Sequence, residues 1–179
     1  ETFARALDAA RAEFAALAAR TASHAGGAYP GERAELAEYI DQSCVKAAGP
    51  KKKANGRLRA LVAPHIDPWR GAVGYGHAYG ALAQSLAADR EADTFVLLGT
   101  SHAPMREPFA LCRRAYDTPL GAMPVDEEFL GELADAAEFD PFADELNHKR
   151  EPSIAFQAVF LRHVLGDRPA RLVPSLAGD

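Results

Sequence analysis

Two short apolar runs with a helical stretch between them constrain this chain more than any other feature. "LRALVAP" (58–64) and "DTFVLLG" (93–99) are almost wholly apolar, without the alternation of a strand that has one wet face. Between them, "VGYGHAYGALAQSLAA" (73–88) has the length and alanine content of a helix. Apolar strand, helix, apolar strand is the crossover unit of a parallel sheet covered on both faces. Such a crossover returns the chain to the same edge, so both strands end on one side of the sheet.

The remaining pattern extends this α/β reading. "FARALDAARAEFAALAAR" (3–20) predicts an amphipathic helix that packs outside the main body, as an extension over 1–25. A second helix is expected over 33–47, with Leu36, Ile40 and Cys44 at four-residue spacing. "FALCRRAYDT" (109–118) reads as a third strand, and "ARLVPSL" (170–176) as a last one. Helices are expected over 126–138, opened by Asp126, and 153–166, with Ser153 as N-cap. The expected architecture is therefore α/β: a mostly parallel sheet flanked by helices over 26–179, with an added N-terminal helix.

Charge and cysteine usage exclude some functions. The chain of 179 residues has 20 Lys and Arg against 25 Asp and Glu, a net charge of −5. That balance argues against a nucleic-acid partner, which needs a concentrated basic face. The single basic run, 51–53, follows Pro50 in a Gly-flanked polar stretch and reads as a solvated loop rather than a phosphate site. Cys44 and Cys112 form no CxxC pair, which fits reduced thiols and a cytoplasmic location. No apolar run has membrane-spanning length, so no membrane association is expected.

The chemistry lies where the strands end. "APHID" and "GTSH" place His65 and His102 just beyond the carboxyl ends of the two expected strands, where open α/β sheets bind ligands. One such histidine alone reads as a hydrogen-bonded strand cap. Two in parallel settings are read as readily as a metal or catalytic site as they are as two strand caps. Asp67 is a candidate ligand, or a partner orienting His65 through its second ring nitrogen. His77 reads as helix packing, and His24 and His163 stand in no constellation. His148, in "ELNHKRE", is a weak acid–base candidate, more simply an exposed loop residue.

Other motifs fail. Glycines 71, 74, 76 and 80 fit neither GxGxxG nor a P-loop; Gly71 and Gly74 are expected to permit a tight strand-to-helix turn. Ser101 beside His102 is no triad, and "GTSHA" lacks the GxSxG elbow, which disfavours a hydrolase. Cys112 reads as a buried, inert thiol.

The segments "GAYPGERAELAEYID", "LVAPHIDPWRG", "FVLLGTSHAP", "FALCRRAYDTPLG", "VDEEFLGEL" and "ELNHKREPSIAFQAVFLRHVLG" together resemble the Memo-like family. That family includes proteins named AmmeMemoRadiSam system protein B. The resemblance covers about residues 26–178. It implies a fold similar to class III extradiol dioxygenases, which use non-haem iron, and a divalent redox metal, iron or copper. It implies His65 and His102 as the first two metal ligands. The family's remaining ligand, a Cys, falls in a later segment with no counterpart here, so the domain is expected to lack its C-terminal part. The chain departs from the family's "EHSIE" at Pro152 and Ala155 in "EPSIA". The resemblance thus implies a metal-binding oxidoreductase with an unassigned small-molecule substrate. The alternative is a non-catalytic module binding a protein or peptide in the same cleft, which the Pro152 and Ala155 departures favour.

Overall fold

The computed structural model describes residues 2–50, 58–88 and 92–178. The basic run 51–53 lies outside the described residues.

The sheet is built around β5 (Arg171–Ala177), which takes β2 (Thr94–Thr100) on one side and β3 (Phe109–Leu111) on the other. β2 pairs in parallel with β5 along its whole length, from Thr94↔Arg171 to Thr100↔Ala177. β3 runs antiparallel to β5, from Phe109↔Ala177 to Leu111↔Ser175. A separate parallel pair joins β1 (Ala19–Arg20) to β4 (Ala115–Tyr116). The mostly parallel α/β architecture is therefore present.

β5 is apolar on both faces because both are covered. Leu172 and Leu176 join the larger core with Ile154, Phe156 and Phe160 of α5 (Pro152–Leu165) and Tyr75 and Tyr79 of α3 (Pro68–Ala88). Val173 points into a second cluster with Leu111, Val125 and Leu130, the last from α4 (Glu127–Ala136). Pro174 is tolerated inside this strand. It falls between the Val125↔Leu172 bridge and the start of β3 pairing at Ser175, where no partner needs its missing N–H.

Several expected elements differ. The run 58–64 is extended but pairs with no strand; β2 takes β5 as its neighbour instead. A short apolar run predicts a buried strand only where a partner covers it; here none of residues 58–64 is buried and no strand pairs with them. The strand over 109–118 breaks into β3 and β4, where the Arg114 N–H turns back to Cys112 Sγ at 3.4 Å. The first helix, α1 (Thr2–Ala15), stops short of residue 20 because Arg114 Nη1 donates to the carbonyls of Ala15 and Leu17 (2.6 and 2.9 Å). α1 is largely exposed, but Phe14 is buried in the main core. The helix over 33–47 changes from α (α2, Arg33–Tyr39) to π (Ile40–Lys46). α3 begins at Pro68 rather than at residue 73, so Gly71 and Gly74 lie inside it rather than at a turn. Asp126 caps α4 as expected, accepting from Phe129 N–H at 3.2 Å. For α5 the N-cap is Glu151, with Pro152 in the first turn, and not Ser153. No described helix is long and apolar enough to cross a membrane.

Candidate functional site

His65 and His102 meet. Their ring centroids are 5.3 Å apart with planes inclined at 53°, and both rings are exposed. They line an open crevice of about 650 Å³ with His24, Asp67, Arg70 and Pro152. The juxtaposition expected from the strand ends is thus present, although residues 58–64 form no strand.

The loop carrying His65 is held by its backbone. Gln157 Nε2 donates to Pro64 O (2.9 Å), Tyr75 OH to Ile66 O (2.9 Å) and Tyr39 OH to Pro68 O (2.7 Å). The loop also lies flat on α3. A Cβ at Gly74 would stand 2.9 Å from Pro64 Cγ, and one at Gly71 2.8 Å from Ile66 Cγ2. Those glycines serve close approach, which corrects the turn role expected of them.

His102 is held by Glu151, a residue with no role in the sequence reading. Glu151 is 6% exposed. Its carboxylate accepts from the His102 N–H (3.0 Å) and the Ser153 N–H (3.0 Å), and lies 3.0 Å from His102 Nδ1. Burial pushes the Glu151 acid up, but these donors outweigh it and hold the carboxyl below its ordinary value. An ionised carboxylate only accepts, so His102 Nδ1 carries the proton and Nε2 presents its lone pair to the crevice. Ser153 Oγ donates to Thr100 O (2.9 Å), tying the start of α5 to the end of β2 and thereby Glu151 to His102. The signal available in sequence was the cap position: an acid immediately before Pro-Ser at a helix start is poised to accept from the first N–H groups.

The lowered pKa has a sign. Glu151 binds its proton less readily folded than unfolded, so its bonds contribute stability above about pH 4.5, a contribution lost as pH falls through the lower folded value. The stability difference between wild type and Glu151→Gln is expected to shrink as pH is taken from 6 to 3, measured by urea unfolding.

The other candidates go elsewhere. Asp67 caps the start of α3, accepting from Arg70 N–H at 3.1 Å and from Arg70 Nε, which holds its acid below the ordinary range; it bonds Arg70, not His65. His148 is fully buried, which corrects the exposed loop expected for it. Its Nε2 donates to Ala110 O (2.9 Å) and its Nδ1 accepts from Tyr116 OH (2.6 Å). Burial, aided by Arg20, pushes its pKa down to about 4, so it is neutral with both nitrogens engaged. His24, assigned no role from sequence, lines the crevice, its ring edge-on to Phe156 at 5.3 Å. Cys112 is buried and inert as expected, its thiol pushed up to about 12 by burial.

His65 and His102 fit two positions of a metal site, each ring being exposed, and His102 is backed by a carboxylate as metal-bound histidines commonly are. Among the described residues, no group of three or more His, Cys, Asp and Glu side chains gathers in a metal-binding arrangement.

Comparison with known proteins bears on most of the chain. A MEMO1 family protein of Aquifex aeolicus is 35% identical over 157 residues, covering 88% of this chain and 39% of that protein. One from Pyrococcus furiosus is 29% identical over 162 residues, covering 89% of this chain and 53% of its own length. One from Methanosarcina mazei is 36% identical over 110 residues, 59% of this chain and 38% of that protein. The chain thus spans between about two fifths and a half of the curated relatives it matches. The profile described as Memo-like protein matches residues 20–178, and the chain belongs to that family.

Proposed function

We propose that the crevice binds one divalent redox metal, iron or copper, through His65 and His102, and that the protein is an oxidoreductase resembling the class III extradiol dioxygenases. The observation that carries this is the pair itself: two imidazoles 5.3 Å apart, one fixed in its tautomer by a buried carboxylate. A metal held there would supply redox chemistry at positions left open to substrate. The chain's own residues do the preparation. Glu151 orients His102 and keeps its Nδ1 protonated. Tyr75 and Gln157 fix the backbone beside His65. The remaining positions would be taken by water or by a ligand from the part of the family's length that this chain does not span.

The test is metal content after anaerobic purification. Wild type is expected to retain iron or copper, and a His65→Ala, His102→Ala double variant to lose at least about ten-fold of it. Equal, low content in both would end this reading.

A second reading is a non-catalytic module binding a protein or peptide. Its support is the half-exposed Ile66, with Pro152 where the family carries a histidine, both lining the same crevice. Oxygen uptake with a panel of catechols separates the two readings, since turnover that disappears in His65→Ala belongs only to the enzyme.

A further inference from the structure

Arg70 lines the crevice with most of its hydrogen-bond donors free. It stands in the first turn of α3, and that turn is pinned from two sides. Tyr39 OH donates to Pro68 O (2.7 Å). Trp69 Nε1 donates to Gly27 O (3.0 Å), and its ring lies edge-on to Tyr39 at 4.6 Å. The Arg70 side chain is aimed as well. Asp67 accepts from the Arg70 N–H (3.1 Å) and from Arg70 Nε, so one carboxylate ties both the backbone and the guanidinium.

A guanidinium has five N–H donors, of which Nε carries one. The other four are on Nη1 and Nη2, and among the described residues nothing accepts from them. These two nitrogens form a fork whose parallel donors match the two oxygens of a carboxylate. The Asp67 bond to Nε leaves that edge of the group open and lowers the entropy lost when it is used.

What an incoming group meets depends on which charges are already engaged. Glu151 is buried and bonded to His102 and Ser153, and Asp67 is bonded to Arg70. The Arg70 side chain is 73% exposed against 23% for Asp67, so the guanidinium is met before the acid. Among the described residues that line the crevice, no other carries a permanent positive charge. Burial, aided by Arg20, pushes the pKa of His24 down, so that ring is neutral at pH 7. One fork without a second cation suits a carboxylate better than a dianionic phosphate, which draws on more donors. The other lining residues include Ala28, Pro64, Ile66 and Pro152, which suit an apolar body.

We propose that Arg70 determines the specificity of this crevice, and that the ligand is a small organic carboxylate. Its acid group lies on the Nη fork, and its apolar body reaches toward His65 and His102. That this ligand is the substrate of a metal-centred reaction rests on the metal reading; recognition of the carboxylate by Arg70 does not.

Benzoate and benzamide test the proposal, because they share size and shape and differ in charge. The whole protein, cleared of metal, is titrated with each, and NMR follows the amides of His24, Asp67 and Arg70. Benzoate is expected to bind at least about 3-fold more tightly than benzamide, with the difference shrinking as salt is raised, as for an exposed ion pair. Arg70→Met keeps an apolar stem and is expected to bind both probes equally. Arg70→Lys is expected to keep part of the preference, since it supplies the charge without the fork. Equal affinity for the two probes in wild type overturns the proposal. So does a preference that survives in Arg70→Met, or the absence of saturable shifts with either probe. Tighter binding of inorganic phosphate than of benzoate assigns the fork to phosphate and overturns the carboxylate class. The metal assay is read separately. Its failure ends the redox reading and leaves a benzoate preference standing, and equal probe affinities leave the metal result untouched.

Discussion

Gly76→Ala is expected to destabilise the protein by about 3 kcal/mol or more, a large part of the 5–15 kcal/mol that holds a domain of this size together. A Cβ built on Gly76 stands 2.1 Å from Cys44 O and 2.7 Å from Cys44 C, both backbone atoms of the π-helical stretch. A flexible side chain could swing aside; a peptide carbonyl inside a helix cannot. The added methyl must therefore push α3 and the π-helical stretch apart, opening the buried contact around Cys44, Ile40 and Tyr75. The displaced helix also carries the site, because Pro68, where α3 begins, is anchored to Tyr39 on the other helix. Urea denaturation measures the loss. A substitution at Gly131, whose Cβ would meet nothing within 4 Å, is the matched control and is expected to be neutral or mildly stabilising.

Glu151→Ala is expected to weaken metal retention by roughly 10–100-fold, while Glu151→Gln, which keeps an acceptor oxygen, loses less. The reasoning is local. Removing the carboxylate frees the His102 ring to rotate and lets the Nδ1 proton move, so Nε2 no longer reliably faces the crevice. It also uncaps α5, because the Ser153 N–H loses its acceptor, at a cost of about 1 kcal/mol. The two effects separate by measurement: equilibrium dialysis against Zn²⁺ or Cu²⁺ reads the first, and thermal unfolding without metal reads the second. Loss of stability with unchanged dialysis curves would leave Glu151 a helix cap and nothing more.

The fold and the site were legible to different depths. Helices were visible because their apolar period repeats over many residues, and α3, α4 and α5 stand within a few residues of expectation. β2 and β5 were visible as continuous apolar runs that end in polar residues. The failure at 58–64 has a plain cause. An apolar run carries no record of its neighbour, and here the neighbouring position in the sheet is open. The break after Leu111 was hidden because it depends on a sulfur accepting a peptide N–H, which no periodicity announces. The switch from α to π at Ile40 is equally silent, since the apolar spacing there suits either helix.

At the site, the two histidines were legible because strand ends are where α/β sheets place ligands. Their supports were not. Glu151 reads as a charged residue before a helix, and only the fold brings it 49 positions back to His102. The burial of His148 is hidden for a related reason: its polar neighbours in sequence suggest solvent, whereas its neighbours in space are Tyr116 and the Ala110 carbonyl. His24 lay too far upstream for any spacing rule to join it to the pair.

The grip on the His65 loop has a consequence for how this site can vary. Tyr39, Tyr75 and Gln157 hold the loop through the carbonyls of Pro68, Ile66 and Pro64, and a carbonyl is the same whichever side chain stands beside it. The half-exposed loop position Ile66 can therefore be exchanged without losing the carbonyl bonds that present His65, provided the new side chain still fits against Gly71. Tolerance and constraint are thus reversed from the usual guess. In a saturation library, permissive positions should fall next to the histidine, and the intolerant ones on helices elsewhere in the chain. Such a division lets a lineage alter what enters the crevice while keeping the imidazole where it is.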